Sequence, residues 1–138
     1  MRKSARAILI TQENKLVLMK RTKATAVYYV TIGGGLDGQE TAEQAVLREL
    51  KEESGSVVEK PVFAFHYKDL IRQNDVDFFV CREIERGIPT GTEWTKWNTP
   101  DNRYELVEVS AEEARHLPLK PDDIKDKILT FYEKAITH

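Results

Sequence analysis

The chain has 138 residues, 41% hydrophobic and 32% charged, and carries a formal net charge of -2. This suits one soluble domain spanning 1–138 and gives no electrostatic footprint for a nucleic-acid backbone. The single cysteine, Cys81, excludes an internal disulfide framework, and no Cys/His zinc pattern or membrane-length apolar run occurs.

In chain order, residues 5–10 read as a first strand and 16–20 as a second, joined by a polar turn at 12–15 into a hairpin. The apolar run near the start is too short for a secretory signal, so the expected compartment is the cytoplasm. Residues 21–26 read as a basic loop, and 27–32, β-branched and aromatic, as a strand feeding a glycine turn. A helix is expected over 41–54. Thr41 and Gln44 form a Thr-x-x-Gln capping box, Ala42, Ala45, Val46 and Leu50 make its apolar stripe, and Gly55 suits a left-handed C-terminal cap.

Residues 57–67 form a longer extended segment with Pro61 inside, which predicts an edge position or a bulge. A polar turn at 69–75 precedes a strand at 76–84, a long loop at 86–102 and a last strand at 103–109. Ser110 and Glu113 open a short helix ending near Leu117. A final helix is expected over 122–136, with Ile124, Ile128, Phe131 and Ala135 as its apolar stripe. The pattern predicts an α+β fold, a mixed β-sheet packed between flanking helices.

The helix at 41–54 is locally over-charged. Glu49, Glu52 and Glu53 lie at i, i+3 and i+4, on one side and close to the negative end of the helix dipole, at roughly 0.3–1 kcal/mol each. Glu49 and Glu53 are also a like-charged i, i+4 pair, costing about 0.2–0.5 kcal/mol more. Taken alone, such a run is an ordinary solvated acidic face. A hard divalent cation with oxygen ligands would remove the repulsion.

Gly34, five residues, Glu40, seven residues, then RELKEESG at 48–55 resembles the Nudix box of the Nudix hydrolases. Two positions depart from that pattern: Ile32 stands where a proline is often found, and Ser56 where an aliphatic residue is usual. The resemblance implies an αβα sandwich and a pyrophosphohydrolase dependent on Mg2+, with Mn2+ as an alternative. The implied reaction is hydrolysis of a nucleoside diphosphate linked to another moiety, such as a nucleoside triphosphate, nucleotide sugar or ADP-ribose. It further implies metal ligands at Glu49, Glu52, Glu53 and the Gly33 carbonyl, with Glu40 and Gly34 in support. Arg48 would orient the glutamates. The water's proton would go to Glu49 or to a loop carboxylate, Glu93 before Glu105. A homodimer is a further expectation. A non-catalytic nucleotide-binding module of the same fold is the alternative, because fold does not settle function.

Outside the box, Arg6, Arg21 and Lys23 are cationic candidates for phosphate, set against ordinary solvated lysines and arginines. Alternation sends Tyr28 and Tyr29 to opposite faces, one to the core and one free to stack on a base; Tyr29 is taken as the substrate contact. Trp94 and Trp97 suit a pocket wall, a core edge or a dimer contact. His66, in an apolar run, reads as a packed histidine, and Cys81 as a small buried group.

Overall fold

The computed structural model describes residues 1–91 and 98–137. Strand β1 (Arg2–Ile10) is the axis of a mixed sheet. It runs parallel to β7 (Asn74–Arg86) over its whole length, from Arg2 opposite Asn74 to Ile10 opposite Arg82. Its other edge is shared. Near its end, Leu9 and Ile10 pair antiparallel with β2 (Leu16–Lys23). Nearer its start, Ser4 to Ala7 pair with β4 (Ile32–Gly35). The wing made by β2, β3 (Ala26–Val30) and β8 (Asn102–Val109) therefore diverges from β1, and a cleft opens at the split. Strands β5 (Ser56–Val58) and β6 (Val62–Asp69) both pair antiparallel with β7.

Helices cover both faces, as the expected αβα arrangement requires. Helix α1 (Ala42–Glu53) packs Ala45, Val46 and Leu50 against Ala5, Ala7, Leu9, Val17 and Ile32. On the opposite face, α2 (Ala111–Arg115) and α3 (Lys125–Ile136) close over Ile8, Ile10, Leu16, Leu18 and Phe78. Each fully buried aliphatic side chain in these layers contributes roughly 1.5–3 kcal/mol. Both capping boxes form: Thr41 with Gln44, and Ser110 with Glu113.

Several expectations are corrected. The basic stretch at 21–26 is no loop: β2 runs to Lys23, Ala24 turns at φ 52, and β3 begins at Ala26. The strand propensity of the flanking residues and pairing on both sides of β2 outweigh the charge. The glycine turn is a strand, because β1 supplies a ladder for residues 32–35. Pro61 lies between β5 and β6 rather than inside one segment, and β6 carries the irregularity between Phe63 and Phe65. The last helix begins after a 3-10 turn at Asp122–Ile124, and its buried face is Ile128, Leu129 and Tyr132, with Phe131 and Ala135 half-buried against the same core. His66 is exposed, with Nδ1 2.7 Å from Asp77 and Nε2 2.5 Å from Asp75. Cross-strand register sets it beside Asp77, so it pairs with carboxylates instead of packing. Cys81 is fully buried, which pushes its thiol up to about 12, with Glu43 adding to the shift.

Candidate active site

Helix α1 and strand β4 face each other, and the box glutamates lie between them. The Gly33 N–H donates to Glu53 Oε2 at 3.2 Å. Beside it, a Cβ at position 34 would stand 2.7 Å from Glu49 Oε1, so any side chain there would displace the carboxylate from its present place.

Arg48 organises the acids. Its Nε and Nη2 donate to the two oxygens of Glu40, at 2.8 and 3.0 Å, a fork that fixes the guanidinium plane. Nη2 also donates to the Gly35 carbonyl at 3.0 Å. Nη1 donates to Glu49 Oε1 at 2.9 Å and to Glu52 Oε2 at 3.2 Å. Hydrogen bonding to Glu40 is the largest of the effects that raise the Arg48 pKa, so its charge is permanent. Glu40 in turn titrates below its ordinary range because of Arg48, and its Oε1 also takes the Asp37 N–H at 2.9 Å.

Glu53 is left over. Burial, reinforced by the charge of Glu49, pushes its pKa up to about 8 against the opposing pull of Arg6 and the Gly33 N–H. Arg6 reaches this region from β1, where its guanidinium donates to Thr31 Oγ1 at 3.1 Å and to the Thr31 carbonyl at 2.7 Å. Its own pKa is lowered by burial, with Glu53 and Glu49 opposing.

Residues 1–130 match the family model described as the NUDIX domain. The chain belongs to that family. Membership, with the carboxylate set intact, makes it a pyrophosphohydrolase by class. No curated protein matches the chain. Among solved structures it is similar to a MutT of Aliivibrio salmonicida or Vibrio cholerae, at 16% identity and TM-score 0.70 over 94% of this chain and 98% of that one. It is similar to a NUDIX hydrolase from Nitrosomonas europaea, at 17% identity and TM-score 0.69 over 97% and 89%. An ADP-ribose pyrophosphatase from Streptococcus suis aligns at 18% identity and TM-score 0.68 over 99% and 93%. These likenesses concern the fold.

In this Nudix domain the donor set at α1 is oxygen-only and carries excess negative charge, which fits a hard divalent cation. Among the described residues no three carboxylate, imidazole or thiol groups already surround a common metal position. The reason is visible in the pairing: Arg48 holds Glu52 and one oxygen of Glu49.

A cleft of about 440 Å³ lies where the sheet splits, walled by Arg6, Tyr28, Tyr67, Arg72, Asn74 and Lys120 among others. Arg6 belongs to both the cleft and the acidic group. Tyr28 faces the cleft, whereas Tyr29 packs against the core and exchanges backbone hydrogen bonds with Pro118 and Lys120. Arg21 is engaged elsewhere: it donates to Asn102 Oδ1 at 3.0 Å and stacks over the Tyr104 ring at 3.5 Å. Glu105 stands 3.7 Å from Arg103 and opposite Lys20 in the β2–β8 ladder. Glu93, Trp94 and Trp97 lie outside the described residues.

Sequence reasoning missed Asn74 and Arg72. Asn74 Oδ1 accepts from the buried Ser4 hydroxyl at 2.7 Å, and Arg72 pairs with Asp69 at 3.0 Å. Ser4 and Asn74 are 70 positions apart, and no local pattern signals such a contact. The Ser56 departure also gains a cause: its hydroxyl donates to Glu83 Oε2 at 2.6 Å, within a buried chain that includes Ser54. Ile32 is a core residue on the α1 face.

Proposed function

We propose that this Nudix enzyme hydrolyses the pyrophosphate linkage of a nucleoside diphosphate joined to a further group, with Mg2+, or Mn2+ in its place, held by Glu49, Glu52 and Glu53. The observation that carries the reading is Glu53. It sits beside Glu49 under the Gly33 N–H, with its pKa pushed up to about 8, so near neutral pH it holds a proton that a divalent cation would displace. Glu49 and Glu53 already converge on the glycine strand; Glu52 would join them by leaving Arg48, with the Gly33 carbonyl as a further oxygen donor.

A cation held by these residues would supply Lewis acidity toward a phosphoryl oxygen and a bound water. Arg48, locked by Glu40, keeps Glu49 oriented. Glu49 accepts the proton of the attacking water, with Glu93 as the loop alternative. Arg6 offers its guanidinium to a phosphate oxygen at the mouth of the cleft. Tyr28 supplies a ring face for the nucleobase, and the Asn74 amide, oxygen-bound by Ser4, presents its NH2 to the nucleoside. The products are a nucleotide and the phosphorylated second group.

The test is a panel of nucleoside triphosphates, nucleotide sugars, dinucleoside polyphosphates and ADP-ribose, each with and without Mg2+. Metal-dependent release of a nucleotide from at least one is expected. A panel with no metal-dependent turnover anywhere refutes the reading.

A further inference from the structure

Beyond β7 the chain crosses the C-terminal end of α1. The Gly87 N–H donates to the Gly55 carbonyl at 2.7 Å. Three residues on, the Thr90 N–H donates to the Lys51 carbonyl at 3.3 Å, and the Gly91 N–H to the Glu52 carbonyl at 2.9 Å. The Thr90 hydroxyl reaches the same Lys51 carbonyl at 3.5 Å. Carbonyls in the last turn of a helix have no partner within the helix, and such turns fray. Here the Lys51 carbonyl takes the Gly55 N–H at 3.2 Å and the Thr90 N–H as a second donor, while the Glu52 carbonyl takes the Gly91 N–H, at the turn that carries Glu52 and Glu53. Those N–H dipoles also oppose the negative end of the helix, where the acids are least welcome.

The contact is close enough to specify a residue. A Cβ at position 91 would stand 2.9 Å from Glu52 Cβ and 3.3 Å from its Cγ. Gly91 does not occupy the left-handed region, so its backbone tolerates an alanine; the obstacle is the stem of Glu52.

We infer that residues 87–91 form a backbone clamp on the end of α1, and that Gly91 is a positioning residue acting on the metal through Glu52. This rests on Glu52 being a metal ligand, as proposed above. A ligand is effective when its own position is fixed by a supporting shell, and the loss of such support typically costs about 10–100-fold in metal affinity. Adding a methyl at 91 either tilts the Glu52 stem or lifts the amide off the Glu52 carbonyl. Both outcomes loosen the same ligand.

The experiment is a double-mutant cycle read by direct metal binding, with calorimetry for Mg2+ and electron paramagnetic resonance for Mn2+. Gly91→Ala is expected to weaken Mg2+ binding about tenfold, leaving the metal-free melting temperature and the substrate KM at saturating metal nearly unchanged. In a Glu52→Gln background the same substitution is expected to cause no further loss. Unchanged affinity in folded Gly91→Ala, or a full additional loss on top of Glu52→Gln, overturns the clamp while leaving the active-site reading intact. A Glu52→Gln protein with undiminished affinity overturns both. Hydrogen exchange on the unmodified protein gives an independent arm: the Gly91 amide is expected to be protected, and exchange at the rate of an unstructured chain overturns the inference.

Discussion

Two arginines each gather glutamates beside the box helix, and the difference between them separates structure from function. Arg86 binds both oxygens of Glu83, at 2.9 and 3.2 Å, and reaches Glu108 at 3.0 Å. The Ser56 hydroxyl adds a third bond to Glu83, which is almost fully buried, while Glu108 reaches solvent. Every buried charge there has a partner. Arg48 instead faces Glu40, Glu49 and Glu52 and makes no bond to Glu53. The second arrangement leaves Glu53 in a partly dry place with no arginine bonded to it, and a cation can take the place of the proton it holds. A paired network fastens β5 to β7; Glu53, held by one backbone N–H and no arginine bond, is left for a ligand.

The sharpest way to break this comparison is Glu53→Gln. Metal-dependent turnover is expected to fall by more than about 100-fold, since even residues that merely support a metal ligand are worth 10–100-fold. The metal-free melting temperature should hold or rise, because the substitution removes a group whose ionisation burial disfavours while keeping an oxygen for the Gly33 N–H. Turnover kinetics and calorimetry measure the two arms. Arg48→Lys comes next. A lysine cannot reproduce the fork on Glu40 together with the bonds to Glu49 and Glu52, so Mg2+ affinity and rate should drop by about 10–100-fold with the fold retained.

The same logic applied to the balanced network predicts the reverse. Glu83→Ala leaves Arg86 and Ser56 without their buried partner and should cost about 1–3 kcal/mol of stability in urea unfolding. Its kcat per folded molecule should stay within about twofold of the parent, which is the scatter that additivity allows for a site outside the chemistry.

The pH dependence sharpens the contrast further. The folded pKa of Glu53, about 8, lies above its ordinary value of 4.5. Its contribution to stability is therefore complete below 4.5 and is lost as pH rises through 8. Metal-free melting temperature should fall over that window, and Mg2+ affinity should climb, since the cation displaces the proton. Glu53→Gln should flatten both curves. His66 gives the smallest effect. The hydrogen bond to Asp77 raises its pKa above 6.5, so its contribution is present below 6.5 and fades as pH rises through the raised value. The pair is exposed, so added salt should erase most of the difference between the parent and His66→Asn in melting experiments.

Legibility followed locality. Thr41 with Gln44 and Ser110 with Glu113 could be read as caps because donor and acceptor lie three residues apart. The basic stretch at 21–26 was opaque because the extended form of its first three residues depends on β8, some 80 positions later. His66 looked apolar from its neighbours along the chain and became polar through those across the ladder. The division of Tyr28 and Tyr29 between faces was legible from alternation, but which of them meets the cleft was set by the 118–120 segment that takes Tyr29.

By itself, the sequence determined that a row of acids would stand on one side of a short, well-capped helix beside three glycines. Helical periodicity places residues three and four apart on one face whatever surrounds them. Only the tertiary structure decided which of those acids Arg48 would leave unbonded. Shelter under Gly33 and the approach of Arg6 are contacts between elements far apart in the chain, and burial first, then the charge of Glu49, made Glu53 the acid that holds its proton.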